Sequence, residues 1–259
     1  MLTYISCAKT MTAKSKLKVP YTTEPVFHNQ AMENVMELSH LSTDELSKCL
    51  KINSKLAAEN YLRYQDFFSA DNSGLPAILS YTGVVFKHIS VNDFTDDELE
   101  YAQNHLLITS FLYGLLRPFD LIKNYRLEGS VKLRQMEDGK ILTMFDYWKP
   151  VLTDYFIAEI KKQGGVLMNL ASGEMKDLFD WKRVCSEVRV VTPEFQVYKN
   201  GKLSTVVVYA KMCRGEMTRF ILKNKIDDPE LIKTFEWEGF CYNETESTLE
   251  RFVFTSGNY

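Results

Sequence analysis

The chain has 259 residues, of which 45% are hydrophobic, and a formal net charge of −3. That hydrophobic share is enough for a sizeable core, and the near-neutral balance excludes a general positive field over the whole surface. The apolar start at residues 1–6 is too short for a signal peptide, and no apolar run approaches the length of a membrane span. We therefore expect a cytoplasmic protein with no membrane partner.

Cysteine and histidine spacing gives no sign of a metal site or of disulfides. The five cysteines are odd in number and scattered without a Cys-x-x-Cys pair, which is typical of a reducing compartment. The four histidines show no His-x-x-x-His spacing. The sequence predicts no metal ligands and no cofactor.

Charge is distributed unevenly along the chain. Residues 199–225 hold seven basic residues against Glu216, and residues 227–250 hold eight acids against Lys233. Such segregation can give a near-neutral protein one positive face. The alternative is that both blocks are solvated and neutralise each other.

The first half of the chain mixes strands and helices. It predicts a strand at 2–6, a helix at 26–38, helical sequence at 44–60 interrupted near Asn53, and a strand or turn at 77–86 containing Gly83. A further helix begins at a capping box formed by Thr95 and Glu98. Apolar residues spaced four apart predict that this helix continues to Gly114 and stops before Arg117-Pro118.

The second half continues the alternation without a linker. It predicts a helix near 149–162 with Pro150 in its first turn, a strand at 166–171, a hairpin of 188–197 and 203–210 around Asn200-Gly201, a helix at 214–225 and a strand at 251–254. The sequence therefore predicts one α+β domain over residues 1–259, with a mixed β-sheet flanked by helices.

Cations stand at the ends of several predicted elements, an arrangement suited to binding anions. Arg117 ends the predicted helix, Lys9 follows the first strand between Ser6 and Thr10, and Lys211 follows a predicted strand. The alternative for Arg117 is that it only complements the negative end of a helix dipole.

Residues 41–66 predict two helices joined by a tight turn. The turn resembles the helix-hairpin-helix motif of DNA-binding proteins, in which Ile-Gly-x-Lys-x-Ala occupies these positions. Asn53 replaces the glycine and would have to adopt a left-handed conformation. The N-terminus of the second helix would then meet a DNA phosphate, with Lys55 adding a contact. An ordinary helical hairpin is the alternative.

Several runs together resemble one known family. They are Ser6-Cys7-Ala8-Lys9-Thr10, Lys55-Leu56-Ala57, Leu112-Tyr113-Gly114-Leu115-Leu116-Arg117-Pro118 with Asp120-Leu121, Tyr125-Arg126-Leu127-Glu128, Asn169-Leu170-Ala171-Ser172, and Tyr209-Ala210-Lys211-Met212-Cys213-Arg214-Gly215 with Arg219-Phe220. In this order, from Met1 to about Phe254, they resemble the YaaA peroxide-stress protein family. Two positions depart from its pattern, with Cys7 in place of proline and Met175 in place of tyrosine.

The resemblance implies a cytoplasmic bacterial protein of the hydrogen peroxide stress response that limits iron-mediated damage and binds duplex or branched DNA of any sequence. It also implies a helix-hairpin-helix element and a positively charged cleft. Carried over by position and charge, the DNA-binding candidates are Asn53, Ser54, Lys55, Lys9, Arg117, Arg126, Lys211, Arg214 and Arg219. The polar candidates of the cleft are Ser6, Thr10, Asn169 and Ser172.

Two other functions fit the same residues. The cleft could belong to an enzyme that acts on a phosphorylated or nucleotide substrate, because fixed cations also stabilise reacting anions. No nucleophile–base pair or metal triad follows from the spacing, so we expect a binding protein rather than an enzyme. The third class is an interaction protein whose basic groups are paired with the acidic segment. A long open groove would favour DNA, and a closed pocket would favour catalysis.

Overall fold

The computed structural model describes residues 1–135, 139, 141–199 and 201–257. The strands are β1 (Leu2–Ile5), β2 (Leu75–Pro76), β3 (Leu106–Ser110), β4 (Gly114–Leu116), β5 (Leu121–Ile122), β6 (Lys132–Gln135), β7 (Ile141–Thr143), β8 (Val166–Asn169), β9 (Arg189–Lys199), β10 (Lys202–Ser204), β11 (Cys241–Tyr242) and β12 (Arg251–Ser256). The helices are α1 (His28–Ser39), α2 (Thr43–Leu50), α3 (Ser54–Gln65), α4 (Ala77–Ser80), α5 (Val84–Ile89), α6 (Asp96–His105), α7 (Met144–Lys162), α8 (Trp181–Glu187) and α9 (Val207–Lys223). Short 3-10 helices cover Val91–Asp93, Gly173–Leu178 and Pro229–Thr234.

A mixed sheet in the order β11-β12-β9-β8-β1-β3-β4 organises the fold, and β10 pairs with β9. Five strands run parallel to one another: β12, β9, β8, β1 and β3. The edge strands β11 and β4 are antiparallel to β12 and β3. Every residue of β1 and β3 is buried, as expected for parallel strands covered on both faces. This confirms the predicted single domain with a mixed sheet flanked by helices.

Helices cover the sheet and fix the loops at its ends. On α7, Phe156 packs edge to face against Tyr4 of β1, with ring centres 5.2 Å apart. Trp148 of the same helix donates a hydrogen bond to the Phe111 carbonyl at 2.8 Å. α9 packs against β9 and, more extensively, against α5. One continuous hydrophobic core joins these layers.

The prediction that the helix after Thr95 continues to Gly114 is wrong beyond His105. There the chain forms β3 and turns back as β4, with Gly114 at φ +75°. A fully buried strand is apolar on both faces, so its sequence also places apolar residues four apart, and periodicity alone cannot separate it from a buried helix. Arg117 therefore ends an antiparallel edge strand and not a helix.

Three other predictions need correction. Residues 77–86 form α4 and the start of α5 rather than a strand or turn. The predicted strand 203–210 ends at Ser204, because α9 begins at Val207 to bury a helical stripe that starts at Ala210. Pro150 lies inside α7, since the capping box of Thr143 and Asp146 starts that helix six residues before the proline. The β9–β10 hairpin is confirmed with Gly201 at φ +73°, and Asn200 lies outside the described residues.

The structure confirms two helices joined by a short turn, but it does not show the helix-hairpin-helix motif that their sequence resembles. α2 begins at a capping box formed by Ser42 and Glu45, and its C-cap is Lys51, which is left-handed at φ 53°. Asn53 has φ −70° and instead caps α3 by accepting the Leu56 amide at 2.9 Å. The expected left-handed Asn53 is therefore wrong, because the left-handed residue comes two positions earlier.

Candidate functional site

The parallel strands bring polar residues together at their carboxyl ends, the edge where ligands bind in open α/β sheets. After β1, the Ser6 Oγ accepts the Ser172 amide at 2.8 Å and lies 3.0 Å from the Ser172 hydroxyl. At the end of β8, the Asn169 amide donates to the Thr192 hydroxyl at 3.1 Å, while its buried Oδ1 has no hydrogen-bond partner among the described residues. The structure thus joins Ser6 to Ser172, two of the predicted polar residues.

A cleft of about 620 Å³, partly open to solvent, lies beside this edge, and we call it the edge cleft. It is lined by residues 7–9, residues 125–130, Phe111, Phe145, Glu174 and Met175. Of the predicted cations, Lys9 and Arg126 line it. Its walls come from the loops after β1 and β3, from the segment before β6, and from α7.

Glu128 bridges the two cations of the edge cleft. Its carboxylate lies 2.7 Å from the Lys9 ammonium and 3.1 Å from the Arg126 guanidinium. The Arg126 backbone is fixed by the Tyr64 hydroxyl of α3, which donates to the Arg126 carbonyl at 2.5 Å. Lys9 is 64% exposed, so its ion pair with Glu128 is of the weak, solvent-screened kind. A bound anion can therefore replace Glu128 at Lys9.

The ionisable side chains at the inner end of the edge cleft, Cys7 and Tyr125, are protonated at neutral pH. Burial raises the pKa of the Cys7 thiol to about 12, although the nearby Thr109 hydroxyl opposes this shift. Burial also raises the pKa of Tyr125 well above its usual value, and its hydroxyl lies 2.7 Å from those of Tyr81 and Ser110. No histidine among the described residues lines the cleft. Neither the thiol nor the phenol is thus activated as a nucleophile.

Arg214 is a cation without an acidic partner. It is half-buried on α9, its Nε makes no hydrogen bond, and no described carboxylate lies within ion-pair distance. Burial lowers its pKa, which the more distant negative charge of Glu194 partly offsets. Burying a guanidinium is costly unless an anion compensates it, so the absence of a protein carboxylate favours an external anion at this position.

Two glycines connect Arg214 to the edge cleft. A Cβ on Gly215 would collide with the Val85 carbonyl of α5, so α9 and α5 touch backbone to backbone. A Cβ on Gly83, which precedes α5, would lie 2.7 Å from the Ala8 side chain. α5 therefore packs against both the helix that carries Arg214 and the loop that carries Lys9.

Other predicted cations lie elsewhere. Arg117 points away from the edge cleft, because β4 is antiparallel and ends at the amino edge of the parallel strands. There it pairs with buried Asp120 at 3.1 Å and lines a different pocket. Arg219 pairs with Asp93 at 2.5 Å and donates to the carbonyls that end α5, which is a structural role. Arg117 and Arg126 thus do not line one pocket.

The tip of the α2–α3 hairpin is exposed and basic. Lys51 and Lys55 are exposed there, together with Ser54, and the first turn of α3 contains no acid. The rise of an α-helix places this tip roughly 13 Å from Tyr64, the residue that fixes Arg126. The hairpin tip and the edge cleft are therefore linked by one helix. Lys211 and Thr10 are exposed, and no hydrogen bond or ion pair with another described residue holds either side chain.

Sequence reasoning missed Glu128, Tyr64 and Phe145. Glu128 stands two residues after Arg126, and such a neighbour could have suggested a paired cation. Tyr64 and Phe145 carry no such signal, because each reaches the cleft only through tertiary packing.

Within the described ranges, no three His, Cys, Asp or Glu residues are grouped so that they could hold a metal ion. Among the helices of those ranges, none combines the length and apolar character needed to cross a membrane.

Comparisons with known proteins identify the family. Residues 1–246 match the model of the family described as peroxide stress protein YaaA. The chain is 60% identical to a UPF0246 protein of Phocaeicola vulgatus over 98% of this chain and 99% of that one, and 59% identical to one of Bacteroides fragilis over 99% of each. A UPF0246 protein of Clostridium beijerinckii is 36% identical over 98% of this chain and 97% of its own length. This chain therefore belongs to the YaaA (UPF0246) family of peroxide stress proteins.

Proposed function

We propose that this protein binds DNA through the phosphate backbone in the bacterial cytoplasm during peroxide stress. Membership of the peroxide stress family supports the role in stress. Bound protein would shield DNA from iron-mediated oxidation, since the radicals that iron generates from peroxide react close to where they form.

The hairpin tip carries the proposal. An α-helix of 12 residues begins there with exposed backbone N–H groups, a capping Asn53 and flanking lysines, and no acid competes for them in the first turn. Helix N-termini bind phosphate by their N–H groups and dipole. By contrast, α2 begins with Asp44 and Glu45, which neutralise its own N-terminus.

The edge cleft and Arg214 provide further phosphate contacts on the same molecule. Lys9 and Arg126 can exchange Glu128 for phosphate, and Arg214 lacks any described counter-ion. All of these residues are assigned to phosphate and none to the edges of the bases. We therefore expect an affinity for DNA that tolerates any sequence and depends on salt. An enzymatic role has less support, because Cys7 and Tyr125 are both protonated.

The test measures duplex binding by fluorescence anisotropy over a range of salt concentrations. Lys55→Gln and Arg214→Gln should each weaken binding about equally across unrelated sequences, and should reduce the salt slope by about 0.9 for each phosphate that the variant no longer neutralises. Lys161→Gln is the matched control, because Lys161 is an exposed lysine at the amino edge of the sheet, paired with Glu187. If both variants bind with the parental affinity and slope, the assigned interface is wrong.

A further inference from the structure

One wall of the edge cleft is aromatic, which binding of a phosphate backbone does not require. The rings of Phe111 and Phe145 meet edge to face, with centres 5.3 Å apart and planes at 87°. Met175 lines the same cleft, and Phe145 is only half-buried. Phe111 and Met175 are buried behind it, so a flat ligand would lie mainly against the Phe145 ring.

This wall is held by the backbone. The Phe145 amide donates to the Gly129 carbonyl at 3.1 Å, and a Cβ on residue 129 would overlap the Phe145 ring. The ring thus sits directly on a glycine that lines the cleft. Stacking of a nucleic-acid base on such a fixed aromatic side chain is worth about 1–3 kcal/mol.

The polar groups of the cleft can bind the phosphate of a nucleotide and the hydrogen-bonding edge of its base. Lys9 and Arg126 supply cations for a phosphate. Glu174 is exposed in the cleft, and its described hydrogen bond is a long one of 3.4 Å from the Ser172 hydroxyl. An ionised carboxylate only accepts hydrogen bonds, so it can bind the exocyclic amino group of adenine, cytosine or guanine, whereas the exocyclic oxygens of thymine are acceptors and leave only its ring N3–H to donate.

We propose that the edge cleft holds one unstacked nucleotide, with its base against Phe145 and Phe111, its phosphate at Lys9 and Arg126, and an amino group of the base at Glu174. The nucleotide can come from DNA, as an unpaired base, or from solution. The DNA source rests on the proposed function, and the free source does not.

The first arm of the test compares duplexes that are fully paired or carry one unpaired A, C, G or T. We expect the unpaired A, C and G duplexes to bind the parent protein at least about fivefold more tightly than the paired duplex, the lower end of a stacking contribution. Phe145→Leu should bring this ratio to about one while keeping an apolar side chain in place. Phe68→Leu is the control, because Phe68 is 54% exposed and does not line the cleft.

The second arm uses free AMP, CMP and TMP in saturation-transfer NMR, with inorganic phosphate added as a competitor. We expect AMP and CMP to show saturation transfer that Phe145→Leu removes, and Glu174→Gln to reduce the preference of CMP over TMP. If no duplex binds but the nucleotides do, the proposed function fails and the cleft assignment stands. If neither an unpaired base nor a free nucleotide depends on Phe145 in variants that melt like the parent, the cleft assignment is wrong.

Discussion

Removing the charge of Glu128 should strengthen DNA binding. Glu128→Gln keeps the shape of the side chain and eliminates the acid that neutralises Lys9 and Arg126. Both cations then become available to phosphate, and the cleft gains one unit of positive charge. The opposite result is expected if these ion pairs serve only to hold the loop in place.

The size of the effect follows from the geometry. A phosphate oxygen on Lys9, opposite the 2.7 Å contact with Glu128, would lie about 5 Å from the carboxylate. Two like charges at about 5 Å repel by ~0.8 kcal/mol in water and by ~3 kcal/mol at the effective dielectric constant near a protein surface. The Glu128 side chain is 32% exposed, which favours the lower value. We expect a gain of about 1 kcal/mol, or about fivefold in Kd.

The assay is the anisotropy titration of a short labelled duplex at several salt concentrations. Glu187→Gln is the matched control, because Glu187 also bridges two cations, Lys161 at 2.6 Å and Arg183 at 2.7 Å, but precedes β9 at the amino edge of the sheet. The control should bind DNA like the parent. Equal or weaker binding by Glu128→Gln, with an unchanged melting temperature, would refute the role of the edge cleft in phosphate binding.

Two predictions concern stability. Gly114→Ala places a Cβ 2.9 Å from the Trp148 ring, at a left-handed φ of +75°. It should lower the free energy of unfolding in urea by about 2–4 kcal/mol. Gly173→Ala should lower it little, because open space surrounds Gly173. Burial raises the pKa of both Cys7 and Cys213 to about 12, so the stability that this confers is intact below the unfolded pKa of about 8.5 and is lost as pH rises toward 12. The unfolding free energy should fall by up to about 1.4 kcal/mol per pH unit per thiol, and Cys213→Ala should show a shallower decline; equal slopes would contradict this assignment.

The sequence predicts the elements that carry local signals. Examples are the capping box of Ser42 and Glu45, the Asn-Gly dipeptide before Lys202 and the buried strand at 166–169. Each signal lies in a few neighbouring residues. Parallel strands end at one edge of a sheet, so the polar residues that follow β1 and β8 lie close together. That is why Ser6 and Ser172 meet, although neither is among the residues that line the edge cleft.

The misplaced residues depend on long-range packing. Residues 106–116 are apolar enough for either a helix or two buried strands, and only the pairing of β3 with β1 decides between them. That choice reverses the direction of the chain and sends Arg117 to the far edge. The partners of the cleft cations are equally non-local, since Lys9 meets Glu128 across 119 positions of sequence.

The glycine contacts between the Ala8 loop, α5 and α9 constrain how the family can vary. Where backbone touches backbone at Gly215 and Val85, no side chain can change rotamer to absorb a shift. Lys9 follows the alanine that rests on Gly83, and Arg214 precedes Gly215, so each cation stands next to a residue held against α5. A side chain added at Gly83 or Gly215 would have to displace α5, or the loop or helix that carries the neighbouring cation.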